Sequence, residues 1–240
     1  MRKLFVVIVA LAGLIGMVQA EGMGQMNKGM SGGKKMPKNY RAVPFAKAQI
    51  LQEGPAKMFC VKCGMTLPMF YRTNHAAKVD GKMEQFCSMY CLIEEMNRGK
   101  KVTDVQVVDN TTLKFIPAKK AFYVVGSSKP ATMAKKVSKY AFGTEQAAKD
   151  FAAKFGGEVM RYDAALALAK KDFESDTIAK KMRQAKAAKK GEMIYKKQCQ
   201  STDKTFATAA EAKAYIKAHK LCGDLKGKPL QAVGLYLKSR

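Results

Sequence analysis

The chain has 240 residues, 44 Lys and Arg against 19 Asp and Glu, a formal net charge of +25, six cysteines, sixteen methionines and two histidines. That length suits one domain with an appendage or two small domains, and His75 and His219 are too few for a histidine-built zinc or iron catalytic site. The lysines are spread over Ala/Lys-rich stretches, no nucleic-acid recognition motif accompanies them, and the charge reads as a solvated surface able to meet an acidic protein or an anionic lipid surface.

Residues 1–20 have a basic start (Arg2, Lys3), an apolar run over 4–18 and a small-residue end at Val18-Gln19-Ala20, the form of a secretory signal cleaved after Ala20. The run is about 15 residues, short of the roughly 20 that a membrane-spanning helix needs. The mature protein is therefore expected to be soluble and exported, to the periplasm in a Gram-negative cell, and without a lipid anchor because no cysteine ends the run. Residues 21–56 are rich in Met, Gly and Lys and read as a flexible leader. Its Met23, Met26, Met30 and Met36 could wrap Cu(I) through thioethers alone, as an auxiliary capture site.

Residues 57–161 read as a compact α+β unit. Strands are expected over 67–71, 102–108, 112–116 and 121–125, with Asp109-Asn110 turning between the second and third. Ser88 is placed to cap a helix that runs to Asn97 and stops near Gly99, and Thr144 opens a second that closes at Gly156-Gly157. Tyr90 and Ile93 on the first, and Ala147, Phe151 and Phe155 on the second, mark core-facing stripes. Residues 162–190 form a long Ala/Lys helix whose weak stripe (Leu166, Ala169, Phe173) suits a linker. Residues 191–240 form a small helical segment, and residues 208–215 echo 144–151 in the way alanine-rich helices cheaply do.

The chemistry concentrates in Cys60-Val61-Lys62-Cys63-Gly64-Met65 and Phe86-Cys87-Ser88-Met89-Tyr90-Cys91. Two cysteines three apart can point both sulfurs at one ion across a tight turn, which Gly64 makes easy, and Met65 adds a thioether. Cys87 and Cys91 lie one helical turn apart on one face, and the helix dipole at Cys87 favours a thiolate. Thiolates and thioethers are soft donors suited to Cu(I). Three other readings stay open: a pair of disulfides in an oxidising compartment, a closed four-thiolate zinc knuckle, and a redox Cys-x-x-Cys.

These motifs, followed by Ala121-Phe122-Tyr123-Val124-Val125-Gly126-Ser127, Met133, Tyr140-Ala141-Phe142 and the run 147–157, resemble the NosL-type accessory proteins of nitrous-oxide reductase over roughly residues 57–165. The resemblance implies a non-enzymatic periplasmic Cu(I) chaperone built from two small related α/β units, with nitrous-oxide reductase or its assembly machinery at the membrane as partner. It carries the family's Cys-Gly-Met onto Cys63, Gly64 and Met65, and a further methionine onto Met133. The Cys87–Cys91 pair is also similar to the metal-binding motif of TRASH and YHS heavy-metal domains. The expected ligand set is Cys60, Cys63, Cys87 and Cys91 with Met65 and Met133, around one Cu(I) in a partly exposed site, zinc fitting less well.

Beyond the resemblance, residues 191–240 look like a small cytochrome c without its haem motif. Cys199 is followed by Gln200-Ser201-Thr202 and not by Cys-His, so no haem is expected and a Cys199–Cys222 disulfide is. His75 and His219 both read as surface residues.

Overall fold

A computed structural model describes residues 39–134 and 137–240. The signal segment and Met23, Met26, Met30 and Met36 lie outside the described residues. Asp80 and Gly81 both adopt left-handed backbone angles (φ 48° and 86°) and turn β1 (His75–Val79) into β2 (Lys82–Phe86), a hairpin that Asp-Gly favours. Helix α1 (Met89–Met96) follows and returns the chain to β3 (Val102–Val108), which pairs antiparallel with β1. The same order recurs in β5 (Phe122–Val125), β6 (Lys139–Phe142), α2 (Glu145–Phe155) and β7 (Glu158–Arg161). In each unit the first strand is central, giving β2-β1-β3 and β6-β5-β7, and β4 (Phe115–Pro117) extends the first sheet beyond β3. The architecture is α+β, two ββαβ units of like topology.

Asp109 locks the units together. Its carboxylate accepts from the backbone N–H of Thr111 and Gly143 and from the Thr112 hydroxyl, while the Asn110 N–H reaches the Ala141 carbonyl at 2.9 Å. Met89, Ile93, Val107, Tyr123, Ala141 and Tyr162 fill the core between the sheets. Thr144 caps α2, its hydroxyl accepting from the Ala147 N–H, and Thr208 caps α5 (Ala209–Ala218) through the Glu211 N–H. The echo between 144–151 and 208–215 is thus a shared helix-start grammar.

The expected strand at 67–71 is instead a 3₁₀ helix, Leu67–Thr73, with Pro68 in its first turn. Proline's missing N–H and fixed φ suit that turn and not a ladder. Residues 39–56, expected as flexible leader, strap onto the first sheet: the Val43 N–H donates to the Pro68 carbonyl at 3.0 Å and the Leu51 N–H to Gln85 Oε1 at 3.0 Å.

Helix α3 (Tyr162–Lys171) breaks at Asp172, and α4 (Phe173–Gln198) runs unbroken through the boundary expected at residue 190. The expected linker packs. Phe173 stacks on Tyr90 with ring centres 4.9 Å apart, and Lys180 Nζ meets Glu94 at 2.6 Å. Gly191 lies against the Ala232 backbone where a Cβ would collide, so α4 crosses α6 (Gly227–Ser239) closely. A Cys199–Cys222 disulfide joins the end of α4 to the segment after α5, a loop whose closure should contribute about 3 kcal/mol. Among the described residues no helix is long and apolar enough to cross a membrane.

His75, expected at the surface, is buried in β1. Its ring stacks on Tyr123, with Nε2 3.2 Å from the Tyr123 hydroxyl and Nδ1 3.2 Å from the Thr73 carbonyl. Burial lowers its pKa to about 4, the nearby Lys139 charge adding to this and the Thr73 carbonyl opposing it. Between pH 6.5 and 4 the unfolded chain takes up a proton that the folded chain refuses, so stability falls as pH falls through that window, by on the order of 3 kcal/mol. His75→Phe lacks this loss. Its urea midpoint should fall less than the parent's between pH 7 and pH 4, and parallel pH profiles would contradict the assignment.

Candidate metal centre

The first cysteine pair sits on a turn tied off by its own backbone. The Cys60 N–H donates to the Met65 carbonyl at 2.8 Å, the Gly64 N–H donates to the Cys60 carbonyl at 2.9 Å, and Phe59 and Thr66 form a bridge across the base. Gly64 has φ +72°, a region glycine enters without steric cost. The second pair follows from the end of β2: Cys87 precedes the cap residue Ser88, and Cys91 lies in the first turn of α1 with its N–H on the Ser88 carbonyl at 3.1 Å.

Two contacts bring the pairs together and a third holds the second pair in place. The Val61 N–H meets the Gln85 carbonyl at 3.4 Å, Lys62 pairs with Glu95 of α1 at 2.5 Å, and the Thr73 hydroxyl donates to the Cys87 carbonyl at 2.8 Å. Gln85 and Gln52, both buried, hold the strap and β2 in register: Gln52 Oε1 accepts from the Gln85 N–H, and Gln52 Nε2 donates to the Phe59 carbonyl just before the turn.

The outcome is one cluster. The four Sγ atoms lie within 4.8 Å of one another, with Cys63–Cys87 at 3.4 Å and Cys87–Cys91 at 3.7 Å, and all four cysteines are free. Each is at most 1% exposed, so the site is buried and not partly exposed as expected. The thiolate also falls elsewhere than the helix dipole suggests. Burial raises the Cys60 thiol, but hydrogen bonds from Cys63, Cys87 and Cys91 outweigh it and hold Cys60 well below the usual range. Burial and the charge on Cys60 push Cys87 up, and hydrogen bonding to Cys60 and its neighbours pushes Cys91 up. In the metal-free cluster Cys60 is therefore easier to ionise than Cys87 and Cys91, which hold their protons.

Met65 and Met133 both pack against the core cluster that contains the four cysteines. Met133 has φ 64°, and its carbonyl accepts from Arg183 at 2.9 Å, while Thr132 beside it shares a 2.9 Å hydrogen bond with Thr73. His219 is exposed, its ring against Tyr215, and Cys199 and Cys222 are engaged in their disulfide.

Two residues that spacing could not reveal complete the surroundings. Lys213 of α5, wholly buried, places Nζ 2.5 Å from the Gly64 carbonyl, 2.8 Å from Gln231 Oε1 and over the Phe59 ring. Gln231 of α6 donates to the Cys63 carbonyl at 2.8 Å. Burial pulls the Lys213 ammonium down to about 7, against the attraction of Cys63 and Cys60. A Cβ at Gly64 would lie 2.9 Å from Ala209 Cβ. Gly64→Ala thus meets both an unfavourable φ and a blocked space, and should cost about 2 kcal/mol in urea unfolding; an unchanged midpoint would contradict the packing described.

Comparison with known proteins bears on the same segment. No curated protein matches the chain. The copper chaperone NosL from Shewanella denitrificans, a solved structure, is 23% identical over 48% of this chain and 95% of that chain, with a TM-score of 0.38. Residues 54–166 match the model of the family NosL. The matched segment includes all four clustered cysteines, Met65 and Met133.

Proposed function

We propose that the protein is a non-enzymatic carrier of Cu(I), held by Cys60, Cys63, Cys87 and Cys91 with thioether support from Met65 and Met133. The observation that carries this reading is the gathering of four free sulfurs within 4.8 Å in one buried cluster. Soft donors select a soft ion, and the neighbouring methionines soften the set further. Uptake must displace protons from the thiols that the metal-free cluster keeps protonated, so affinity rises with pH. Release needs no bond chemistry beyond ligand exchange, with a partner's donors entering as these leave.

The match of residues 54–166 to the NosL family model supports delivery toward nitrous-oxide reductase or its assembly machinery at a membrane. The form of residues 1–20 supports the periplasm as the compartment, and the +25 charge supports an acidic protein or an anionic lipid surface as the docking partner. A second reading, a closed structural zinc site, is favoured by the complete burial of all four cysteines, since structural zinc sites leave no open position.

Anaerobic titration of the protein with Cu(I) and, separately, with Zn(II), each against a competing chelator, tests the choice. One Cu(I) bound tightly with no comparable zinc uptake is expected, and Cys63→Ser should weaken Cu(I) binding by at least about 100-fold, the upper end of what loss of an outer-shell contact costs. Tight zinc and weak copper would favour the second reading, and unchanged Cu(I) affinity in Cys63→Ser would remove that residue from the ligand set.

A further inference from the structure

The cysteine turn is held from outside the segment 54–166. Consecutive carbonyls at Cys63 and Gly64 accept hydrogen bonds from Gln231 and Lys213, residues 168 and 149 positions away, and those two side chains are bonded to each other at 2.8 Å. Ala209, at the start of α5, closes the same face of the turn against Gly64.

We propose that α5 and α6 are a working part of the sulfur site, with Lys213 and Gln231 as positioning residues that clamp the Cys60–Met65 turn and seal the sulfurs from solvent, so that a thiol reagent or an ion reaches them when the clamp lets go. For the ion, this rests on the Cu(I) reading above; for the thiols, it does not.

Burying a lysine is the strongest argument. Lys213 is 0% exposed, and Gly234 on α6 leaves room for its stem, since a Cβ there would lie 2.5 Å from Lys213 Cγ. A buried ammonium costs stability that an apolar side chain of similar length would not. Its Nζ is spent on the carbonyl of the metal-binding turn and on the glutamine that holds the neighbouring carbonyl, not on an acid. The pair thereby fixes the direction of the turn that presents Cys60 and Cys63.

The clamp is also anchored. α6 crosses α4 at Gly191, and the Cys199–Cys222 disulfide ties the helices of this module to one another. By contrast, its named grip on the turn is two side chains and the edge of Ala209. An opening confined to that grip exposes little surface, and local openings of this kind lie well below the global unfolding free energy.

The test is the rate of maleimide labelling of the four free cysteines in the full-length, metal-free protein with its disulfide intact, across urea concentrations below the unfolding transition. Gln231→Ala and Lys213→Met should each label about tenfold faster or more, the effect expected for one lost hydrogen bond of this kind, with the shallow urea slope of a local opening. Cu(I) loaded on the variants should pass to a chelator faster by a like factor. Unchanged labelling in both variants overturns the proposal, as does acceleration that carries the steep urea slope of global unfolding. Should Lys213→Met not fold, Gln231→Ala decides alone, because it trims a half-buried neutral side chain. Faster labelling in a protein that binds no Cu(I) would sustain the clamp and remove the carrier reading.

Discussion

Four thiols packed without solvent impose the condition that the remaining structure meets. Cys60, Cys63, Cys87 and Cys91 come from two short segments 24 residues or more apart, and thiol–thiol contacts at 3.4 and 3.7 Å are weak compared with what their convergence asks of the backbone. The backbone is therefore fixed by other means: a turn closed on itself with Gly64 at positive φ, a hairpin ending at Phe86, and the first turn of α1. Buried polar side chains do the joining. Gln52 and Gln85 tie the strap to β2, Thr73 holds the Cys87 carbonyl, and the Lys62–Glu95 pair spans from the turn to the helix.

Topology explains why the site belongs to the first ββαβ unit while the second supports it. Asp109 binds the end of β3 to Gly143 at the end of β6, so the two sheets share a core that backs α1. From the second unit, the segment around Thr132 and Met133 reaches across to Thr73, which places a thioether residue against the sulfur cluster. α4 packs Phe173 on Tyr90 and Lys180 on Glu94, holding α1 from its other side. The chain after residue 166, beyond the segment that matches the family model, thus bears on both cysteine pairs, α1 through α4 and the turn through α5 and α6.

What the sequence makes legible is local. The helix start at Thr144 follows from capping chemistry and the one at Ser88 falls where expected although the Ser88 hydroxyl makes no capping bond; the stops near Gly99 and Gly156 fit glycine at positive φ, and β3 and β5 follow from runs of Val, Phe and Tyr. The hairpin His75–Phe86 hides because Ala, Lys, Glu and Gln dominate it, although Asp80-Gly81 marks its turn. Leu67 and Tyr71 satisfy either period, and Pro68 decides for the helix. Cysteine spacing identifies each pair, but not their meeting, which depends on tertiary contacts of Gln85 and Thr73. The dipole argument for Cys87 fails because burial and hydrogen bonding with Cys60 and Cys63 outweigh a partial charge. Lys213 and Gln231 are invisible for the simplest reason: nothing local distinguishes them from other polar residues on an alanine-rich or amphipathic helix.

The most direct single measurement is X-ray absorption at the copper edge on Cu(I)-loaded protein, alongside Cys60→Ser and Cys91→Ser. Copper in the +1 state with a sulfur-only first shell, poorer in sulfur in each variant, is the predicted result. A shell of nitrogen or oxygen donors, or a sulfur shell that neither substitution changes, would contradict a site built from these four cysteines.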